Sequence, residues 1–199
     1  MGFQCFSIFV TMKPTRKQEI IKMAASLFKE KGYNAVSMRD IAQAMDIKAA
    51  SLYNHISGKQ EILSTLIIEV AEQFTKEMNT ITASSHSPLQ KIEKVIEVHI
   101  DITVTYAENI AALNNDWMHL EGASLKRVVA MREEYEENFR AIIKQGVTEG
   151  AIAPLHPEVI LFSILSTLRT LYLWNEKRGK MDVNVLKKDM VSVLISGIV

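Results

Sequence analysis

Tyr53, Asn54 and His55 place a phenol, an amide and an imidazole side by side, three groups that hydrogen-bond without carrying a full charge. Just upstream runs Lys48-Ala49-Ala50-Ser51, a cation followed by small residues, with Ser37-Met38-Arg39 before it and Lys59 after. Together these are the parts of a polyanion reader. Lys and Arg meet phosphate oxygens, small residues let the backbone approach closely, and alanine methyls can touch thymine methyls in the major groove. Asn54 can bond an adenine edge or solvent. Tyr53 and His55 can contact phosphate or simply pack against a neighbouring helix.

Side chains of this kind work only on a rigid mount, and the surrounding pattern supplies one. Thr15 followed by Gln18 is a capping box that opens a first helix, with Ile20, Ala24, Leu27 and Phe28 on one face and Gly32 as its stop. Ser37 followed by Asp40 opens a second, whose inward positions are Ile41, Ala42 and Met45. A tight turn at Met45–Ile47 places Asp46 at positive φ, and a short third helix from Lys48 to His55 is anchored by Leu52 and Ile56. Two short helices joined this way form a helix-turn-helix. Ser57 with Gln60 is expected to cap a long fourth helix carrying Ile62, Leu63, Leu66, Ile67, Val70 and Phe74.

Residues 80–88 are Ser/Thr-rich and polar, the clearest break in the chain. Beyond them Ser87-Pro88 starts a helix, and helical periodicity runs through 88–106, 108–120, 124–149, 157–176 and 182–197. No segment alternates with period two, so the expected fold is all-α. Composition is that of an ordinary globular protein, 48% hydrophobic and 23% charged. Cys5 is the single cysteine, which excludes an intrachain disulfide and fits a reducing, cytoplasmic setting. No apolar run reaches the ~18–20 residues of a membrane span. The formal net charge is zero, yet residues 1–60 hold nine Lys/Arg against four acids, an excess that residues 61–199 cancel. A basic head on an acidic body is what a DNA-contacting segment would produce.

Residues 14–63 resemble the TetR family of bacterial transcription regulators. The likeness is carried by Ile20, Ala24, Leu27, Phe28, Gly32 and Tyr33, then Ser37-Met38-Arg39-Asp40-Ile41-Ala42, Ser51-Leu52-Tyr53-Asn54-His55 and Lys59-Gln60-Glu61-Ile62-Leu63. The resemblance implies a homodimer of nine- or ten-helix subunits. Residues 13–58 would be the DNA-binding domain, 59–80 a linking helix, and 81–199 a domain that holds an effector and forms the dimer. It favours phosphate contact for Tyr53 and His55, and double-stranded operator DNA as the partner. Four positions depart from the family pattern: Asp46 replaces the turn glycine, Lys48 the Ser/Thr cap, Ala49 the basic residue after that cap, and Ile56 the aromatic after the histidine. Residues 1–12 read as an extension, disordered or the product of an upstream start, with translation beginning at Met12.

For the dimer interface the stripes Ile160, Ile164, Leu168, Leu171 and Leu186, Met190, Val193, Leu194 are expected to build a four-helix bundle on a twofold axis. The same stripes suit an intrachain core; the resemblance argues for the interface. Effector contacts are sought among Tyr106, Asn114, Trp117, His119, Tyr135, Phe139, Arg169, Tyr172 and Trp174. Arg169 falls in a nearly uncharged stretch and needs a carboxylate from the protein or from the ligand. The effector is therefore expected to be mostly apolar, and anionic if Arg169 meets it: a fatty acid or acyl thioester. Of His99, Asp116 and His119 only the last two have i, i+3 spacing, and no cysteine joins them, so solvated or capping roles are expected and no metal or cofactor. No nucleophile–base pair or phosphate loop is present, which argues against an enzyme. The expected function is a ligand-responsive repressor; the alternative is a helical small-molecule-binding protein or enzyme with a vestigial head. Lys59→Ala should weaken binding to every DNA sequence alike and lower the salt slope by about one, measured by anisotropy titrations. An unchanged slope removes Lys59 from the phosphate contacts.

Overall fold

A computed structural model describes residues 14–177 and 181–199; the expectations placed on residues 1–12 fall outside them. Among the described residues there are nine α-helices and no strand: α1 (Arg16–Lys31), α2 (Met38–Ala44), α3 (Ala49–Tyr53), α4 (Lys59–Ala83), α5 (Pro88–Thr105), α6 (Ala107–Asn115), α7 (Gly122–Thr148), α8 (Pro157–Lys177) and α9 (Val183–Ser196). A 3-10 turn at Trp117–His119 joins α6 to α7. No helix among these residues is long and apolar enough to cross a membrane.

The capping boxes Thr15/Gln18, Ser37/Asp40 and Ser87/Gln90 are all formed, each satisfying orphan backbone N–H groups at a helix start. Asp46 takes φ 54, the one non-glycine residue at positive φ among the described residues. Lys48 stands at the N-cap of α3 without a side-chain bond, as its ammonium requires.

Four expectations change. The cap of α4 is not Ser57 with Gln60: Gly58 is the N-cap, and Glu61 reaches back to the Ser57 N–H and hydroxyl, both at 2.7 Å. Its carboxylate also accepts from Lys17 of α1, and these bonds, that from Lys17 foremost, hold its pKa at about 2. Helix α3 stops at Tyr53 rather than His55, its last carbonyls being taken by Asn54 and His55. The polar break shrinks to residues 84–87, because Ile81 packs into the core and carries α4 on to Ala83. The expected 108–120 helix ends at Asn115, where Asn114, Asn115 and Asp116 compete poorly for helix against turn.

The core is built in two main parts. Helices α1–α3 close on the start of α4 through Ile20, Phe28, Ile41, Leu52, Ile56 and Ile62, and this cluster continues into Ala112, Leu120 and Val128 of the C-terminal body. The body has its own core among α4, α5, α7, α8 and α9, centred on Ile96, Ile100, Phe139 and Ile143. At Gly146 of α7 the Ile152 side chain packs where a Cβ would stand, so an added methyl would overlap it.

Ile160, Ile164, Leu168, Leu171 and Leu186 belong to this body core, none more than 5% exposed, which corrects their assignment to the dimer interface. Met190 and Leu194 also pack against it, partly buried, and only Val193 of the eight is exposed. The reason is that α8 is apolar around most of its circumference, so periodicity does not say which stripe faces inward. Apolar side chains are left exposed on both helices, Val159 and Phe162 on α8 and Val185 and Val193 on α9.

His99 of α5 is a buried polar residue of this region, its Nδ1 3.1 Å from the Tyr135 hydroxyl of α7. Burial, reinforced by the Arg169 charge, pushes its pKa down to about 3, so it is neutral in the folded protein. The unfolded chain takes up this proton near pH 6.5 and the folded chain does not. Stability should therefore be level above pH 6.5 and fall as pH drops below it, by at most ~1.4 kcal/mol per unit from this group. Urea unfolding at fixed protein concentration should show that decline between pH 6.5 and 4.5, and His99→Gln should flatten it. An equal slope in both proteins refutes the assignment.

Candidate functional site

The reading head is the outer face of α2 and α3. Helix α3 hangs on one fully buried anchor, Leu52, with Ile56 closing the turn behind it. That fixes its opposite face outward: Lys48, Ala50, Ser51, Tyr53, Asn54 and His55 are all exposed, Tyr53 by 53%. Met38 and Ala49 are partly buried against the head core, so their roles are divided between packing and display. Ser37 and Arg39 are exposed at the start of α2. Arg39 and Lys48, apart in sequence, border one shallow concavity over the α2–α3 turn. The head thus exposes two cations and a row of small and hydrogen-bonding side chains along α2 and α3, the kinds of group that read a major groove.

Lys59 occupies a different position from the rest. Its ammonium donates to the Tyr33 and Val36 carbonyls at 2.8 and 2.9 Å and lies 4.1 Å above the Tyr33 ring. Partial burial lowers its pKa. Two of its three N–H donors therefore hold the α1–α2 loop, leaving one for a phosphate.

Behind the head lies a cavity of about 260 Å³ between α4, α5, α6, α7 and α8. Its walls are mostly apolar, including Phe74, Ile110, Leu113, Val128 and Leu165. Of the residues expected to meet an effector, Asn114, Trp117, Tyr135 and Arg169 line it. Tyr106, His119, Phe139, Tyr172 and Trp174 do not. Phe139 is a fully buried core residue, Tyr172 donates its hydroxyl to Asn115, and Tyr106 and Trp174 pack against core clusters. Arg169 is not a buried cation: it is exposed on one side and paired with Glu136 at 2.6 Å. Arg132, also exposed, stacks its guanidinium 4.5 Å from the Trp117 ring.

Sequence reasoning weighed His99 only as a metal ligand and passed over Thr103 and Arg132. The first two lie one turn apart on α5 and face one way, a spacing that marks a shared surface without saying that the surface is hollow.

His119 joins the cavity to the head instead of lining the cavity. Its ring stacks on Tyr33 with centroids 5.3 Å apart, its Nε2 is 3.3 Å from Asn34 Nδ2, and its carbonyl accepts from Gln60 at 2.7 Å. Asp116 is buried, which raises its pKa, and the neighbouring His119, Tyr33 backbone and Lys59 act against that shift. The residue between them is Trp117, a cavity wall. One 3-10 turn therefore carries both the ceiling of the cavity and the clamp on the α1–α2 loop.

Comparison with known proteins agrees with this geometry. Residues 20–66 match the profile of bacterial regulatory proteins of the tetR family, and residues 85–198 that of the tetracyclin repressor-like C-terminal domain. The chain is 22% identical over 188 residues to the transcriptional repressor KstR2 of Rhodococcus jostii, covering 94% of this chain and 92% of that protein. The structure of the ketosteroid transcriptional regulator KstR2 of Mycobacterium tuberculosis superposes with a TM-score of 0.87 at 20% identity, over 94% of this chain and 96% of that one. AibR, solved in complex with isovaleryl coenzyme A and operator DNA, superposes with a TM-score of 0.78 at 23% identity, over 91% and 98%. A DNA-reading head, a body with an internal cavity, and family profiles that span both place this chain in the TetR family of ligand-responsive, DNA-binding transcriptional regulators.

Proposed function

We propose that the protein is a homodimeric repressor whose two heads grip a pseudo-palindromic operator and let go when a small, mostly apolar, anionic effector fills the cavity. The observation that carries this reading is the shared turn at Trp117–His119. A guest that displaces Trp117 moves Asp116 and His119 with it, and these hold Tyr33, Asn34 and, through Gln60, the start of α4. An effector acts only through its difference in affinity for the DNA-competent and released arrangements, so such a mechanical link is what the function requires. AibR, with its thioester and operator DNA in one complex, supports the same division of labour on a similar fold. The exposed guanidinium groups of Arg132 and Arg169 beside the cavity suit a carboxylate or acyl thioester.

The dimer supplies what one head lacks. A single short helix covers too little of the groove for specific binding, whereas two heads about 34–36 Å apart read both halves of a palindrome. The open face of α8 and α9, with Val159, Phe162, Val185 and Val193 at 47–70% exposure, is the surface that a second subunit would cover.

Two experiments test this reading. Phe162→Asp should shift the protein from dimer to monomer in analytical ultracentrifugation and cost at least tenfold in affinity for a duplex taken from upstream of its own gene. A Phe162→Asp protein that remains dimeric and binds that duplex normally contradicts the interface. His119→Ala should leave octanoate binding, read by Trp117 fluorescence, within about twofold. It should reduce the octanoate-induced loss of duplex affinity by threefold or more, read by anisotropy. Retention of the full effect by His119→Ala would mean that the turn does not transmit it.

A further inference from the structure

Thr103 of α5 is 2% exposed, lines the cavity, and is the one residue among those described with a buried side-chain oxygen that has no hydrogen-bond partner. The setting makes this unusual. A helix threonine ordinarily satisfies its hydroxyl on the carbonyl one turn back, and Thr65, Thr75, Thr148 and Thr167 do so here. A hydroxyl sealed off without a partner has lost its bonds to water and gained none in return. One turn before it, His99 reaches the same cavity, with its Nδ1 on the Tyr135 hydroxyl.

The cavity is therefore polarised along its length. Arg132 and Arg169 are its exposed, charged members; Ile110, Val128, Leu165 and Leu168 make an apolar barrel; Thr103 and His99 put uncharged hydrogen-bonding groups in the buried part. Cavities of ~150 Å³ hold a benzene-sized guest, so this one holds a body of about ten non-hydrogen atoms. A plain hydrocarbon tail of that size fills the barrel but leaves Thr103 facing methylene groups. An oxygen on the tail completes the site.

We propose that the effector is an oxygenated carboxylic acid or its thioester, bearing a carbonyl or hydroxyl on its apolar body that pairs with the Thr103 hydroxyl. The acid group meets the arginine rim, the carbon skeleton fills the barrel, and the second oxygen sets specificity. This rests on the cavity being the effector site. Sites built to hydrogen-bond a ligand group reject the analogue that lacks it far more strongly than apolar pockets reject an extra methylene.

The test is calorimetric titration of the full-length protein with octanoate and with a set of its mono-oxo and mono-hydroxy derivatives. At least one oxygenated acid should bind about tenfold more tightly than octanoate. Thr103→Val, nearly isosteric and free of the orphan hydroxyl, should bring that acid to within about twofold of octanoate without weakening octanoate itself; Thr103→Ser should restore the preference. The proposal is overturned if wild-type protein binds octanoate as tightly as every oxygenated acid, or if the preference survives in Thr103→Val. In either case octanoate binding that still releases DNA leaves the effector-site reading intact. Binding of no acid at all removes both, whereas duplex binding, measured in parallel by anisotropy, is independent of either outcome.

Discussion

The stacking of His119 on Tyr33 is the contact through which head and body know of each other. Around it gather the buried Asp116, Asn34 at the His119 ring, Gln60 on the His119 carbonyl, and Lys59 bridging the Tyr33 and Val36 carbonyls. Most of these groups are partly or fully shielded from water, so each bond counts for more than a surface contact would. The apolar cluster beneath is continuous with them, because Ala112, Leu120 and Val128 of the body complete the core of the head. The head is thus seated on the body through this turn, the shared core and the unbroken helix α4.

That turn explains why the cavity lies where it does. Trp117 cannot change rotamer without disturbing its neighbours, and Arg132 braces the outer face of its ring. The cavity floor is held at fixed charge by the opposite device: burial keeps His99 neutral and raises the Tyr135 hydroxyl far above its ordinary range. The interior therefore offers hydrogen bonds without ionisation, while charge is confined to the exposed arginines. A ligand that satisfies both ends must itself be amphipathic.

The head was legible in the chain because its rules are local. Capping boxes, a stop glycine and an Asp at positive φ are decided within four residues, and Leu52 and Ile56 have no alternative but inward. The body was legible as helices but not as surfaces. Helix α8 is apolar on several sides, so Ile160 and Phe162 look alike until α5 and α7 are in place; one is 2% exposed and the other 69%. Arg169 read as a buried cation because its partner, Glu136, lies on another helix. Lys59 read as a free phosphate ligand because the carbonyls it holds belong to a loop 23 and 26 residues away. Thr103 gave no signal at all, since an unsatisfied hydroxyl exists only once every neighbour has been placed.

The central claim is that filling the cavity loosens the clamp on the α1–α2 loop. Amide hydrogen exchange resolved at Tyr33 tests it most directly, because Tyr33 is the loop residue on which His119 stacks and whose carbonyl Lys59 holds. With a cavity ligand at saturation and no DNA present, Tyr33 and its loop neighbours should exchange several-fold faster while amides in the middle of α9 keep their rate. Unchanged exchange at Tyr33 under a ligand that demonstrably releases DNA would place the coupling elsewhere and contradict the account.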